Sequence, residues 1–305
     1  MSTPLVAEGL RVAYGDTWAL DGIDVEATRG STLAVLGHNG AGKTTLIRVL
    51  TTLTRPHSGQ AWIDGFDVVT ESRMVRRRIG VTGQYAGLDD FLTGRENLEL
   101  IAHLQGLGTA ARDRAGGLIE RLALDDIAGR RVGEMSGGSR RRIDIAASLV
   151  GSPVVLFLDE PTTGLDPTAR AGLWDVIDEL TNAGTTVVLT TQYLDEADRL
   201  ADSIVLLDRG RVAARGTPAE LKRLVGDKVV TATISAAELD RLAIPPDSAR
   251  NVGTNHISVS YTVADAGTAG RRVSDLIEIG IADLDVASPS LDDVFAHLTT
   301  AGASQ

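Results

Sequence analysis

GHNGAGKT, residues 37–44, decides how the rest of the chain is read. It fits G-x-x-x-x-G-K-[ST], and its surroundings are those the pattern requires. An apolar, strand-like stretch (residues 32–36) runs into it, and a helix-like stretch carrying Leu46, Val49, Leu50 and Leu53 on one side runs out of it. Gly37, Gly40 and Gly42 let backbone N–H groups converge on a phosphate where a β-carbon would obstruct the approach. The helix start near Lys43 adds its positive dipole end. Lys43 brings a compact cation to the outer phosphates, and the Thr44 hydroxyl suits Mg2+. His38, Asn39, Ala41 and Thr45 complete the loop. Only Lys43, Lys222 and Lys228 are lysine among 30 basic residues, so a lysine at this position stands out.

The second decisive stretch is VVLFLDEP, residues 154–161. A continuous apolar, β-branched run suits a strand buried on both faces. Its two terminal carboxylates would arrive at the C-terminal edge of a parallel sheet, where α/β folds bind ligands. Asp159 is the expected Mg2+ ligand, and Glu160 the general base that polarises an attacking water. Alone, the run equally describes a strand meeting a turn; its place after a phosphate loop favours the chemical reading.

Composition narrows the alternatives. The 305 residues carry 30 basic and 41 acidic side chains, a net charge of −11, which disfavours general attraction to nucleic acid or anionic lipid. With no cysteine, disulfides, thiolate metal sites and cysteine nucleophiles are excluded. The five histidines show no paired metal-ligand spacing, and none is assigned. No secretory signal or bilayer-length apolar run is evident, so a soluble cytoplasmic chain is expected.

Strands are expected over residues 5–12, 23–27 and 32–36, and mainly helix from about 88 to 150. Beyond that, strand and helix alternate: 154–158, 169–180, 186–190, 194–201 and 203–207. This alternation argues for an α/β domain around a largely parallel sheet. After about residue 225 the pattern changes to strands at 228–234 and 255–263 and a helix at 269–279, a small α+β appendage with Pro245 and Pro246 in a loop. The arginine runs 76–78 and 140–142 read as solvated helix faces making ion pairs.

Over residues 1 to about 220 the chain resembles the ATP-binding subunits of ABC transporters, through several motifs in that family's order. MSGGS, residues 135–139, is similar to the signature sequence. The resemblance implies that Ser136, Gly137, Gly138 and Ser139 meet the γ-phosphate held by a second protomer, although Ser-Gly-Gly is also an ordinary helix N-cap. Gln84 in VTGQYAGLDD matches the Q-loop, which the resemblance implies touches Mg2+ and water and links to a membrane subunit. Tyr14 matches the aromatic that stacks on adenine; packing beneath the sheet is its alternative. Asp166, in Gly164-Leu165-Asp166, matches a dimer-interface loop, or simply turns the chain into a helix at Pro167.

Two departures stand out. Ser139 occupies the usual glutamine position. Gln192, in TTQYLDEAD, occupies the place of a switch histidine; it can donate an amide hydrogen bond to the γ-phosphate but cannot titrate. Hydrolysis is therefore expected to be retained but slow. With TTLTRPHSG at 51–59, SRRRIDIAASL at 139–149 and PSLDDVFAHLT at 289–299, the chain resembles the daunorubicin-resistance type of exporter ATPase along almost its whole length.

The resemblance implies an α/β P-loop NTPase (ABC ATPase) domain over residues 1–224, with an inserted helical subdomain near 88–150, and a small C-terminal α+β domain over 225–305. It further implies ATP and Mg2+ as ligands, a separately encoded transmembrane permease and a second ATP-binding subunit as partners, and a place on the cytoplasmic face of the membrane. Export of drugs, antibiotics or lipid-like metabolites would follow. A soluble ABC ATPase acting on ribosomes or DNA, and a regulator that binds ATP without hydrolysing it, are the rival readings.

Overall fold

The computed structural model describes residues 3–83, 87–225, 228–239, 241–242, 244–252, 256–281 and 283–295. Its contacts divide the chain into two compact units, Met1–Arg215 and Gly216–Gln305.

The first unit opens with an antiparallel pair, β1 (Leu5–Tyr14) and β2 (Thr17–Ala27), followed by β3 (Thr32–Leu36) and α1 (Lys43–Leu50). Next come β4 (Ser58–Ile63), β5 (Phe66–Asp67), α2 (Ser72–Arg76) and β6 (Ile79–Thr82). The helical stretch holds α3 (Gly94–Leu104), α4 (Ala111–Arg121), α5 (Asp125–Ala128) and α6 (Gly137–Ser148). Then β7 (Val155–Asp159), α7 (Pro167–Asn182), β8 (Thr186–Thr191), α8 (Leu194–Leu200), β9 (Ser203–Asp208) and β10 (Arg211–Gly216) complete it.

Two sheets form. The six-stranded one runs β10-β9-β3-β8-β7-β6, with β9, β3, β8, β7 and β6 mutually parallel. Every residue of β3, β7 and β8 is buried, as the unbroken apolar runs require. The expected strands at 5–12 and 23–27 do not join this sheet. They belong to a separate antiparallel sheet, β2-β1-β4-β5, whose inward residues Leu5, Leu10, Leu20 and Ile23 pack into the same core as Leu46, Leu50 and Phe157. Strands β4, β6 and β10 escape apolar-run reasoning for one reason. Strand β4 opens on three exposed residues, β6 has only four residues and β10 alternates exposed and half-buried ones, so no long hydrophobic stretch marks them.

Register fixes what lies along the sheet edge. Leu36 pairs with Thr191, Thr190 with Asp159, and Leu158 with Thr82. The segments that leave β3, β8, β7 and β6 therefore start level with one another: the loop at Gly37, then Gln192, Glu160 and Gly83.

The helical stretch is tied down locally. Thr93 caps α3 in a reciprocal capping box with Glu96. The buried Asn97 amide accepts from Asp89 N–H and donates to the carbonyls of Asp89 and Thr93. At Gly94 a β-carbon would stand 2.8 Å from Ile143 Cδ1, so α3 rests directly on α6.

The second unit contains α9 (Pro218–Arg223), β11 (Lys228–Ser235), α10 (Ala236–Leu239), β12 (Ser248–Asn251), β13 (His256–Val263), α11 (Ala266–Glu278) and β14 (Leu284–Ala287). Its sheet runs β12-β13-β11-β14. One face, with Val230, Ala232, Ile234, Val259 and Tyr261, packs on Ala269 and Leu276 of α11. Pro245 and Pro246 lie between α10 and β12. Among the described residues no helix is long and apolar enough to cross a membrane.

Candidate active site

The phosphate loop is closely packed from behind. A β-carbon on Gly37 would lie 2.6 Å from the Leu207 carbonyl, and one on Gly42, at φ 112°, would lie 2.5 Å from the Ala19 carbonyl. Glycine at both positions lets β9 and β2 support the loop directly. Gly210 N–H donates to the Ala41 carbonyl at 3.0 Å, adding a further tie. His38, Asn39 and Gly40 are exposed; His38 lies 3.0 Å from Asp208 through Nε2. Tyr14 ends β1, in the hairpin that backs onto Gly42, and is 56% exposed rather than packed beneath the sheet.

Lys43 is buried. Its ammonium donates to the carbonyls of Gly37 at 2.7 Å and His38 at 3.2 Å and lies 3.8 Å from Glu160 Oε1. Burial lowers its pKa, against the opposing pull of Glu160 and Asp159. Thr44 is exposed at the start of α1 and Thr45 half-buried.

Asp159 is buried, and its Oδ1 accepts from Thr190 Oγ1 at 2.5 Å. Glu160 follows in a left-handed conformation, φ 46°, that side chains other than glycine seldom adopt. Its N–H donates to the Thr190 carbonyl and to Thr190 Oγ1, both at 3.1 Å, and these bonds hold the turn. Backbone conformations of this kind cluster at functional sites.

Ser136 caps α6 by accepting from Ser139 N–H at 3.2 Å, with Gly137 exposed beside it. Asp166 caps α7, accepting from Ala169 N–H at 2.9 Å. The two helix starts touch, since a β-carbon on Gly138 would stand 2.8 Å from Ala169 Cβ. Gln192 is exposed just beyond β8. The following Tyr193 ring lies 4.8 Å from the Arg170 guanidinium, which anchors that segment to α7. Gln84 falls outside the described residues.

The arginine run 140–142 departs from a solvated helix face at two of its three residues. Arg141 is not on a solvated face: its side chain is 12% exposed, and it bridges Asp144, Gly83 and Asp159. Arg142 likewise donates to the carbonyls of Leu122 and Ala123. Arg140, paired with Asp90 at 2.8 Å, behaves as expected, and so does the exposed run 76–78, in which Arg78 pairs with Asp64 at 3.6 Å. Helical phase was the available signal, because Arg141 lies three residues before Asp144 and four before Ile145 on the buried side. Burial pushes the Asp144 carboxyl up to about 6, against the pull of Arg141 and Arg140. Also unanticipated is Glu196, fully buried on α8, whose Oε1 accepts from Trp174 Nε1 at 3.2 Å.

A magnesium ion bound among phosphates takes hard oxygen ligands and needs only one or two from protein. An exposed Thr44 hydroxyl and the Asp159 carboxylate fit that donor set. Among the described residues no cluster of three or more His, Asp or Glu could hold a metal alone.

Residues 20–163 match the ABC transporter family. The chain is 50% identical over 303 residues to the daunorubicin resistance ATP-binding protein DrrA3 of Streptomyces coeruleorubidus, covering 97% of this chain and 96% of that one. It is 45% identical over 314 residues to the doxorubicin resistance ATP-binding protein DrrA of Mycobacterium tuberculosis, covering 97% and 93%. Among solved structures, cbiO1 from Clostridium perfringens, part of the ABC transporter complex cbiONQ, matches with a TM-score of 0.68 and 29% identity. That match covers 72% of this chain and 91% of cbiO1.

Proposed function

This chain belongs to the ABC transporter ATP-binding proteins of the daunorubicin-resistance type, and from that premise we propose that it powers export of drugs, antibiotics or lipid-like metabolites through a separately encoded transmembrane permease. Binding and hydrolysis of ATP are properties of that family.

Tyr14 stacks on adenine, and the loop from Gly37 to Thr45 cradles the phosphates with Lys43 at their outer end. Thr44 and Asp159 hold Mg2+, joined by Gln84; the ion would shield phosphate charge. Glu160 takes the proton of the attacking water, and Gln192 donates to the γ-phosphate. Ser136, Gly137, Gly138 and Ser139 complete the site of a second copy of this chain, with Asp166 at the interface between them. Two ATP molecules would then be enclosed by two copies that reopen after hydrolysis, a ligand-gated closure of the kind that drives motion. The hydrolytic domain spans residues 1–215 and the accessory domain 216–305, a division that follows the chain's contacts and falls before α9 rather than at the boundary near 224 expected from the sequence. The assembly works at the cytoplasmic membrane face, without nucleic acid.

One observation carries the catalytic part: the left-handed turn at Glu160 brings a carboxylate 3.8 Å from the phosphate-loop lysine. Phosphate release by the purified chain with Mg·ATP tests it, as does sedimentation of Glu160→Gln with and without ATP. A variant that turns over at the wild-type rate, or never dimerises with ATP, overturns the reading.

A further inference from the structure

Strands β6 and β7 pair in parallel as far as Thr82 and Leu158. Past that rung their carbonyls are joined by a side chain from a third element. Arg141, in the second turn of α6, donates through Nη1 to the Gly83 carbonyl at 2.9 Å and through Nη2 to the Asp159 carbonyl at 3.2 Å. Asp144 Oδ2, 3.0 Å from Nη1, holds the guanidinium in place.

These contacts fall on three segments that matter to hydrolysis. Gly83 immediately precedes Gln84, Asp159 immediately precedes Glu160, and α6 begins at Ser136. A planar guanidinium can serve two diverging carbonyls and a carboxylate at once; an ammonium on a flexible stem cannot hold that geometry. The bridge borders a cavity of about 380 Å³ that Gly137 and Glu160 also line. None of its hydrogen bonds reaches Tyr14 or residues 37–44.

We propose that Arg141, braced by Asp144, is a positioning residue for ATP hydrolysis that locks the start of the Gln84 segment and the Glu160 turn to the helix carrying Ser136. Docking of a second copy at Ser136 is then transmitted to the hydrolytic carboxylate through one side chain. This role rests on those of Gln84 and Glu160 in hydrolysis. It separates catalysis from capture: loosening the bridge slows hydrolysis and leaves ATP binding to Tyr14 and the phosphate loop.

Removing Arg141 alone would strand a buried carboxylate, a strongly destabilising change. The test variant is therefore Arg141→Gln/Asp144→Asn in the full chain, with Arg141→Lys beside it. Expected for both is a kcat at least about tenfold below wild type, with ATP affinity by equilibrium titration within about twofold. Hydrogen exchange in the peptides spanning 79–83 and 155–162 rises in both. Unchanged kcat, or affinity falling by the same factor as kcat, overturns the proposal. So does failure of both variants to fold, which would make the bridge a folding element.

Glu160→Gln, assayed in parallel, separates the two levels. If it hydrolyses normally, the underlying catalytic reading fails. If it is inactive while the Arg141 variants keep kcat, only the bridge fails.

Discussion

The ammonium of Lys43 lies 3.8 Å from the Glu160 carboxylate while donating to two carbonyls of its own loop. The two residues come from different elements 117 positions apart (160 − 43) and meet because β3, β8 and β7 share one register. At this separation the ammonium offsets the charge of the carboxylate.

Glu160→Gln keeps the size and turn of the side chain and removes its basicity. Hydrolysis should fall by about 10²- to 10⁴-fold, the usual worth of a positioned general base, while ATP binding persists. Single-turnover phosphate release together with equilibrium titration checks both halves.

Lys43→Arg should not be conservative. The lysine side chain is 4% exposed, and a wider, planar cation cannot reproduce its two bonds to Gly37 and His38 without pushing on Gly37, which β9 supports from behind. ATP affinity should fall by about tenfold or more, on the scale of one lost charge-assisted contact, with the unfolding midpoint nearly unchanged.

Gly138→Ala drives a methyl group to 2.8 Å from Ala169 Cβ. Overpacking of this kind costs about 1–3 kcal/mol. Adding Ala169→Gly should recover most of the loss, which chemical denaturation of the single and double variants would reveal. Equal stability of Gly138→Ala and wild type would show that α6 and α7 move apart freely.

Asp144 supplies a pH signature. Burial lifts its carboxyl from 3.8 to about 6, so between those values the folded chain binds a proton that the unfolded chain has released. That contribution to stability is complete below pH about 4 and lost as pH rises through about 6. Relative to Asp144→Asn, the wild type should lose stability over that window and run parallel to it above pH about 7. Denaturation midpoints at a series of pH values check the sign.

Much of the site was legible in the sequence because its chemistry is local. A glycine-lysine loop between a strand and a helix, or an apolar run ending in Asp-Glu, is specified by neighbours a few residues away. Tyr14 and Ser136 were legible in kind, yet only the structure distinguished an exposed tyrosine at a strand end from one packed beneath the sheet. Arg141 was misread because three consecutive arginines look alike in composition, whereas one turn of helix points each in a different direction.

The sequence by itself determined the glycine-lysine loop between a strand and a helix, the buried parallel strands and the helix starts at Ser136 and Asp166, since hydrophobic period, glycine freedom and capping act over a few residues. The tertiary structure decided that β1 and β2 form their own sheet and that Lys43 meets Glu160. It also decided that Arg141 bridges two strand ends and that Gly138 touches Ala169. Those outcomes depend on strand register and on close packing between distant segments, and neither quantity is written in any local stretch of the chain.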